Sequence, residues 1–160
     1  MKEQLARWMK GAVVVIGIGN PLRGDDAAGS LVARRMAGLP GVCAIDAEEV
    51  PESYLPTVVK RQPDTIVLVD SVDMDSAPGS VALLDRDQIA GYWPSTHRVP
   101  MGMLMSVLEH ETQARVFALG IQPAHTEFLE PMSNAVAASV EQVAGMLTRA
   151  LAEQAKEVSV

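Results

Sequence analysis

Apolar and polar positions along the chain fall into blocks that specify most of its elements. Val13-Val14-Val15-Ile16 is an unbroken β-branched run ending in Gly17, the signature of a strand covered on both faces. Thr65 to Asp70 and Arg115 to Ile121 repeat that signature, and Val42 to Asp46 is a shorter run that also ends on an acid. Ser80 to Leu84, behind a Pro78-Gly79 turn, predicts an edge strand. Between the strands the period changes. Ala28, Leu31, Val32 and Met36 recur at helical spacing until Leu39-Pro40-Gly41 stops them. Glu52 to Lys60 predicts a helix entered through Pro51, and Asp85 to Ala90 a short one. Met101, Leu104, Met105 and Leu108 form an i, i+3, i+4, i+7 stripe on a helix opened by Pro100. Met132, Val136, Val140, Val143, Leu147 and Leu151 mark a long last helix. Residues 1–11 are expected to be a loose lead-in, Pro94-Ser95-Thr96-His97 a loop, and residues from about 153 to 160 a loosely ordered end.

Strands alternating with helices specify an α/β domain with a mostly parallel sheet covered on both faces, and 160 residues suit one such domain spanning 1–160. The first strand passes into Gly17-Ile18-Gly19-Asn20-Pro21-Leu22-Arg23-Gly24-Asp25-Asp26, a glycine-rich turn that closes on two adjacent carboxylates before a helix. In open α/β sheets the loop after a central strand's carboxyl end is where ligands bind, which makes this turn the candidate site. Composition narrows the partner classes. A chain 48% hydrophobic and 21% charged builds a filled core. Its net charge of −7 argues against a nucleic-acid surface. No apolar run reaches the roughly 20 residues that span a bilayer. Met1 to Lys10 carries no signal-peptide pattern, and a single cysteine fits a reducing compartment, so the expected location is cytoplasmic. Cys43 lies within an apolar run and is expected to be a buried structural thiol. The nine methionines are scattered, as core filling rather than as a soft-metal site.

Two chemistries compete for the turn. A dinucleotide fingerprint, G-x-G-x-x-G, would need its third glycine at Leu22, and acids at the helix start would repel a pyrophosphate. Metal binding fits better. Asp26, Asp70 and His97 each follow a predicted strand end or lie in a loop, and parallel strands would bring them to one edge. Two carboxylates and an imidazole suit zinc, nickel, manganese or iron. Each residue also has a plainer reading: Asp25 or Asp26 as a helix cap, Asp70 closing a turn, His97 as a satisfied loop histidine. His110 and His125 read as surface or turn residues. No Ser, Cys or Thr sits in a nucleophile-elbow setting, against a triad hydrolase.

Four blocks in order resemble the [NiFe]-hydrogenase maturation endopeptidases: the turn from Gly17 to Asp26; Ile66-Val67-Leu68-Val69-Asp70-Ser71-Val72-Asp73-Met74; Ser95-Thr96-His97-Arg98-Val99-Pro100; and Leu119-Gly120-Ile121-Gln122-Pro123 with Pro131-Met132-Ser133. The resemblance runs from Val13 to about Val143 and is strongest to the branch serving formate-hydrogenlyase-type hydrogenases. It implies a three-layer α/β domain with a twisted, mostly parallel five-stranded sheet. It implies removal of the C-terminal extension from the hydrogenase large-subunit precursor once nickel is loaded, by a monomer. The family's metal-contacting positions match Asp26, Asp70 and His97, and a position tied to cleavage specificity matches Asp46. The nickel would be carried by the substrate, with zinc or cadmium able to occupy the site in vitro. The sequence departs from the family just after Asp46, where Ala47-Glu48-Glu49 replaces small residues that often include glycine. Two alternatives stand beside this reading: a non-catalytic nickel-dependent assembly factor, and a peptidyl-tRNA hydrolase-like esterase, which shares the Gly-x-Gly-Asn-Pro turn but needs a histidine that residues 21–45 lack.

Overall fold

The apolar runs become the sheet. The computed structural model describes residues 1–92 and 99–159. Its strands are β1 (Val13–Ile18), β2 (Val42–Glu48), β3 (Thr65–Ser71), β4 (Val81–Leu84) and β5 (Arg115–Ile121), in the order β2-β1-β3-β5-β4. Four strands run parallel and β4 pairs antiparallel with β5 at one edge. Every residue of β1 is buried, as an unbroken apolar run requires of a central parallel strand.

Helices cover both faces. On one, α1 (Lys2–Trp8), α2 (Ala28–Met36) and α6 (Asn134–Val158) pack Met36, Val140 and Leu147 against Val13, Val15, Val67 and Val69. On the other, α3 (Leu55–Arg61), α4 (Arg86–Ile89) and α5 (Met101–Thr112) pack Val58, Ile89, Leu104 and Met105 against Val14, Ile16, Ile66 and Leu68. The period-2 alternation of β1 and β3 thus divides between two cores. The helix α2 crosses β1 and β3 at very short range because Gly29 faces them. A β-carbon there would drive into the carbonyl oxygens of Val69 and Ile18.

Three expectations need correction. Residues 1–11 are not loose: they form α1 and dock, with Leu5 and Met9 buried, Trp8 edge-on to Phe117 at 5.2 Å, and the Lys10 N–H donating to Thr65 Oγ1. Two apolar positions one turn apart are too few to show a pattern, and it is α6 and β5 that supply the packing. The chain end remains helical to Val158, and Gln154 Nε2 donates to the Gly11 carbonyl. Cys43 is only half-buried, because β2 is the outer strand of the sheet and its side chain packs at the rim of the second core. Capping is where local signals held best. The Asp85 side chain accepts from the Gln88 N–H while the Gln88 side chain accepts from the Asp85 N–H, a complete capping box on α4.

Candidate functional site

Strand order creates one switch point. From β1 the chain goes through α2 to β2 on one side, and the next strand, β3, lies on β1's other side. The crevice beyond the carboxyl ends of β1 and β3 is where a doubly wound sheet binds its ligand. The turn after β1 carries Asp25 and Asp26, and β3 ends in Asp70-Ser71.

Asp26 is buried and oriented from two sides. The Asn20 N–H donates to its Oδ2 at 2.9 Å and Ser71 Oγ donates to its Oδ1 at 3.1 Å. The second bond joins the turn directly to the end of β3, one residue beyond Asp70. Alternation along β3 puts Ser71 on the α2 side and Asp70 on the α3–α5 side, following Ile66 and Leu68. Asp70 itself is buried. Both acids therefore belong to the same carboxyl edge. His97 lies outside the described residues. Val99, where the description resumes before α5, packs with the α3–α5 core. Among the described residues no three of His, Cys, Asp and Glu are grouped to hold a metal ion.

The turn's conformation explains its glycines. Gly24 sits at φ +52°, and a β-carbon there would lie 2.8 Å from His125 Nδ1 and 3.1 Å from the His125 carbonyl oxygen; at Gly19, with φ +149°, it would strike the Asp26 carbonyl.

Helix capping does not describe either acid: neither the 3₁₀ turn Gly24–Ala27 nor α2 has a side-chain cap. Asp25 instead reaches across the molecule and is fully buried. Its carboxylate accepts from the N–H groups of Ser133 (2.7 Å), Ala124 (2.8 Å) and His125 (3.4 Å) and from Ser133 Oγ (2.8 Å), while its own N–H donates to the His125 carbonyl. Burial opposes its ionisation, but these four donors outweigh that and hold the carboxyl below its ordinary value. Asp25 thus fastens the β5–α6 connection, residues 122–133, to the turn.

Asp46 is likewise engaged. Ser30 Oγ donates to its Oδ1 and Arg34 Nε to its Oδ2, both at 2.6 Å. Burial raises its pKa, and the bonds from Ser30, Arg34 and the Glu48 N–H together with the Arg34 charge more than reverse this, leaving it lowered. Just past it, β2 slips register against β1 between Gly17 and Ile18, and Glu48 takes φ +49° while its carbonyl accepts from the Gly19 N–H. A left-handed residue is what glycine supplies cheaply, so Glu48 holds this conformation at a cost.

Several structural partners were not singled out from the sequence. Ser30 and Arg34 orient Asp46, and nothing in their local context marks them; Ser71, which orients Asp26, stood in the second block. Gln122 and Ser133 did stand in the fourth block. Gln122 Oε1 accepts from the N–H groups of Met74 and Ser76, and its Nε2 donates to Asp73 Oδ1, tying β5 to the loop after β3.

Fold and edge together define a doubly wound α/β domain with buried carboxylates at its switch point. Residues 29–150 match the model of a family described as hydrogenase maturation protease. The hydrogenase 3 maturation protease of Escherichia coli K12 is 33% identical over 133 residues, covering 81% of this chain and 85% of that protein. The crystal structure of the [NiFe] hydrogenase maturation protease HycI from Thermococcus kodakarensis superposes with a TM-score of 0.84 at 31% identity, over 92% of this chain and 98% of that one. The solution structure of the E. coli endopeptidase HycI gives 0.78 at 31% identity, over 88% and 90%. The chain belongs to the hydrogenase maturation protease family. It is a peptidase, which sets aside both the non-catalytic assembly factor and the peptidyl-tRNA hydrolase-like esterase.

Proposed function

We propose that this endopeptidase removes the C-terminal extension from the large-subunit precursor of a [NiFe] hydrogenase after nickel insertion, with Asp26, Asp70 and His97 addressing the nickel carried by that substrate. The observation that supports this reading is that the turn bearing Asp26 is bonded through the Ser71 hydroxyl to the end of β3, one residue beyond the buried Asp70. Among the described residues each oxygen of the Asp26 carboxylate accepts one hydrogen bond, and a carboxylate oxygen has two lone pairs, so such bonds are compatible with a cation on the same group. Second-shell donors of this kind fix a ligand's orientation and tune its affinity. His97 supplies the borderline nitrogen donor that nickel accepts, and zinc or cadmium suits the same set. The two carboxylates neutralise much of the cation's charge, which docks the precursor's metal centre on the edge and holds the scissile bond beside it. Asp46, on the outer strand next to β1 and anchored by Ser30 and Arg34, contributes to substrate specificity. Among the described residues no helix is long and apolar enough to cross a membrane, and we place the chain in the cytoplasm with its precursor.

Incubation with nickel-loaded and nickel-free precursor, followed by intact mass, tests this. Only the loaded precursor should lose its extension. Asp26→Asn, Asp70→Asn and His97→Ala should each slow the cut by more than about 100-fold, because each removes a direct contact to the cation. Equal cleavage of nickel-free precursor, or three variants cutting at the wild-type rate, removes the metal assignment.

A further inference from the structure

Beside the acidic edge lies an apolar surface that the fold exposes at some cost. Leu22, in the turn that carries Asp26, is 56% exposed; Phe128 and Leu129, in the β5–α6 connection, are 59% and 70% exposed. The two segments meet directly: the Leu129 N–H donates to the Leu22 carbonyl at 2.7 Å, and Arg23 Nε donates to the Thr126 carbonyl. Leu129 also has φ +63°, a left-handed conformation unfavourable for leucine. One residue therefore combines backbone strain with a large apolar side chain in water. Neither helps the free chain, and strain of this kind concentrates at binding sites.

We infer that Leu22, Phe128 and Leu129 form the docking platform for the protein substrate, the hydrogenase large-subunit precursor, which meets it with an apolar segment edged by basic side chains. This rests on the function proposed above. The platform is continuous with the edge where the bond is cut, since Leu22 is four residues from Asp26 in the same turn. A protein that brings a peptide bond to Asp26 covers Leu22 as it does so. The acidic rim sets the charge of the partner: Glu127 and Glu130 flank the apolar pair and are both exposed, in a chain of net charge −7. Apolar anchors beside a polar rim are where binding energy concentrates in protein–protein contacts.

The test uses full-length protein and nickel-loaded precursor. Leu129→Asn keeps a residue that tolerates the left-handed conformation while removing the apolar side chain. Its melting temperature should equal or exceed the wild type's, while KM for the precursor rises about tenfold and kcat is unchanged. Phe128→Ser and Leu22→Ser should raise KM in the same way. A merely structural role predicts the reverse, a lower melting temperature with KM unchanged. KM within twofold of wild type in all three variants overturns the proposal. So does a wild-type dimer in sedimentation that Leu129→Asn dissolves, since a second copy would then be the occupant. If the wild-type protein itself neither binds nor cuts loaded precursor, the proposed function fails and the platform with it. If it cuts and the variants match it, the platform alone fails.

Discussion

Asp25 and Asp26 are adjacent, chemically identical and both buried, yet their hydrogen bonds assign them opposite consequences. Replacing Asp25 by alanine removes an ionised acceptor that serves four donors across the molecule. Hydrogen bonds to charged groups contribute about 1.5–3 kcal/mol each, but bonds sharing one acceptor do not add. The contact at 3.4 Å is weak, and Ala124 is exposed, so its freed N–H can turn to water. Ser133, only half-buried, loses the acceptor of both its N–H and its hydroxyl, and that hydroxyl also caps α6 by accepting from the Val136 N–H. A loss of about 3 kcal/mol follows, since neutral donors left without an acceptor cost about 1–3 kcal/mol and do not add in full. For a chain of this length that lowers the melting temperature by roughly 10 °C. Asp25→Asn keeps the shape and one acceptor but turns an amide N–H₂ toward donors, at a cost of about 2 kcal/mol. Because the folded pKa is below the unfolded one, this stabilisation is present above the ordinary value of 3.8 and is lost as pH falls through the depressed folded value. Urea denaturation followed by circular dichroism measures the cost, and a cycle with Ser133→Ala isolates the pair, with an expected coupling of about 1 kcal/mol or more. Asp25→Ala within 1 kcal/mol of wild type, or strict additivity with Ser133→Ala, would refute the reasoning.

Two further outcomes follow from the same geometry. Gly24→Ala places a β-carbon at φ +52° against the His125 backbone, and should lose about 1–2 kcal/mol while slowing precursor processing, since Asp26 rides on the same turn; unchanged melting with full activity would mean the turn is merely permissive. Asp46, with its folded pKa lowered, stabilises the protein above about pH 4 and ceases to as pH falls below it, so Asp46→Asn should flatten the acid limb of a stability–pH profile; with Arg34 nearly half exposed the effect is no more than about 1 kcal/mol, and parallel profiles for the two proteins would count against it.

Much of the fold was legible because burial on both faces leaves a compositional trace. Val13 to Ile16, Ile66 to Val69 and Val116 to Leu119 could hardly be anything but central strands, and they are. The stripes on α2, α5 and α6 are likewise the faces that meet the sheet. The helix α1 was not legible, since its order comes from Phe117, Thr65 and α6, none of which is near in sequence.

The site was legible to a different depth, and the reason is separation along the chain. A carboxylate before a helix looks like a cap whatever it does, because sequence shows only its neighbours. What distinguishes Asp25 from Asp26 is Ser133, 108 residues away from the first, and Ser71, 45 residues away from the second. The same distance explains the fourth block. Gly-Ile-Gln-Pro and Pro-Met-Ser carry no reactive group that the edge requires, and from sequence they are only a likeness. In the fold, Gln122 ties β5 to the loop after Asp70, and Ser133 ties α6 to the residue before Asp26. One end of the connection that bears Leu129 is thereby bound to the turn that bears Asp26, and the other to the loop that follows Asp70. The platform we infer is thus held at one end by the turn of Asp26 and at the other by the loop after Asp70, which would fix its distance to both acids, as a protease selecting one bond in a folded partner requires.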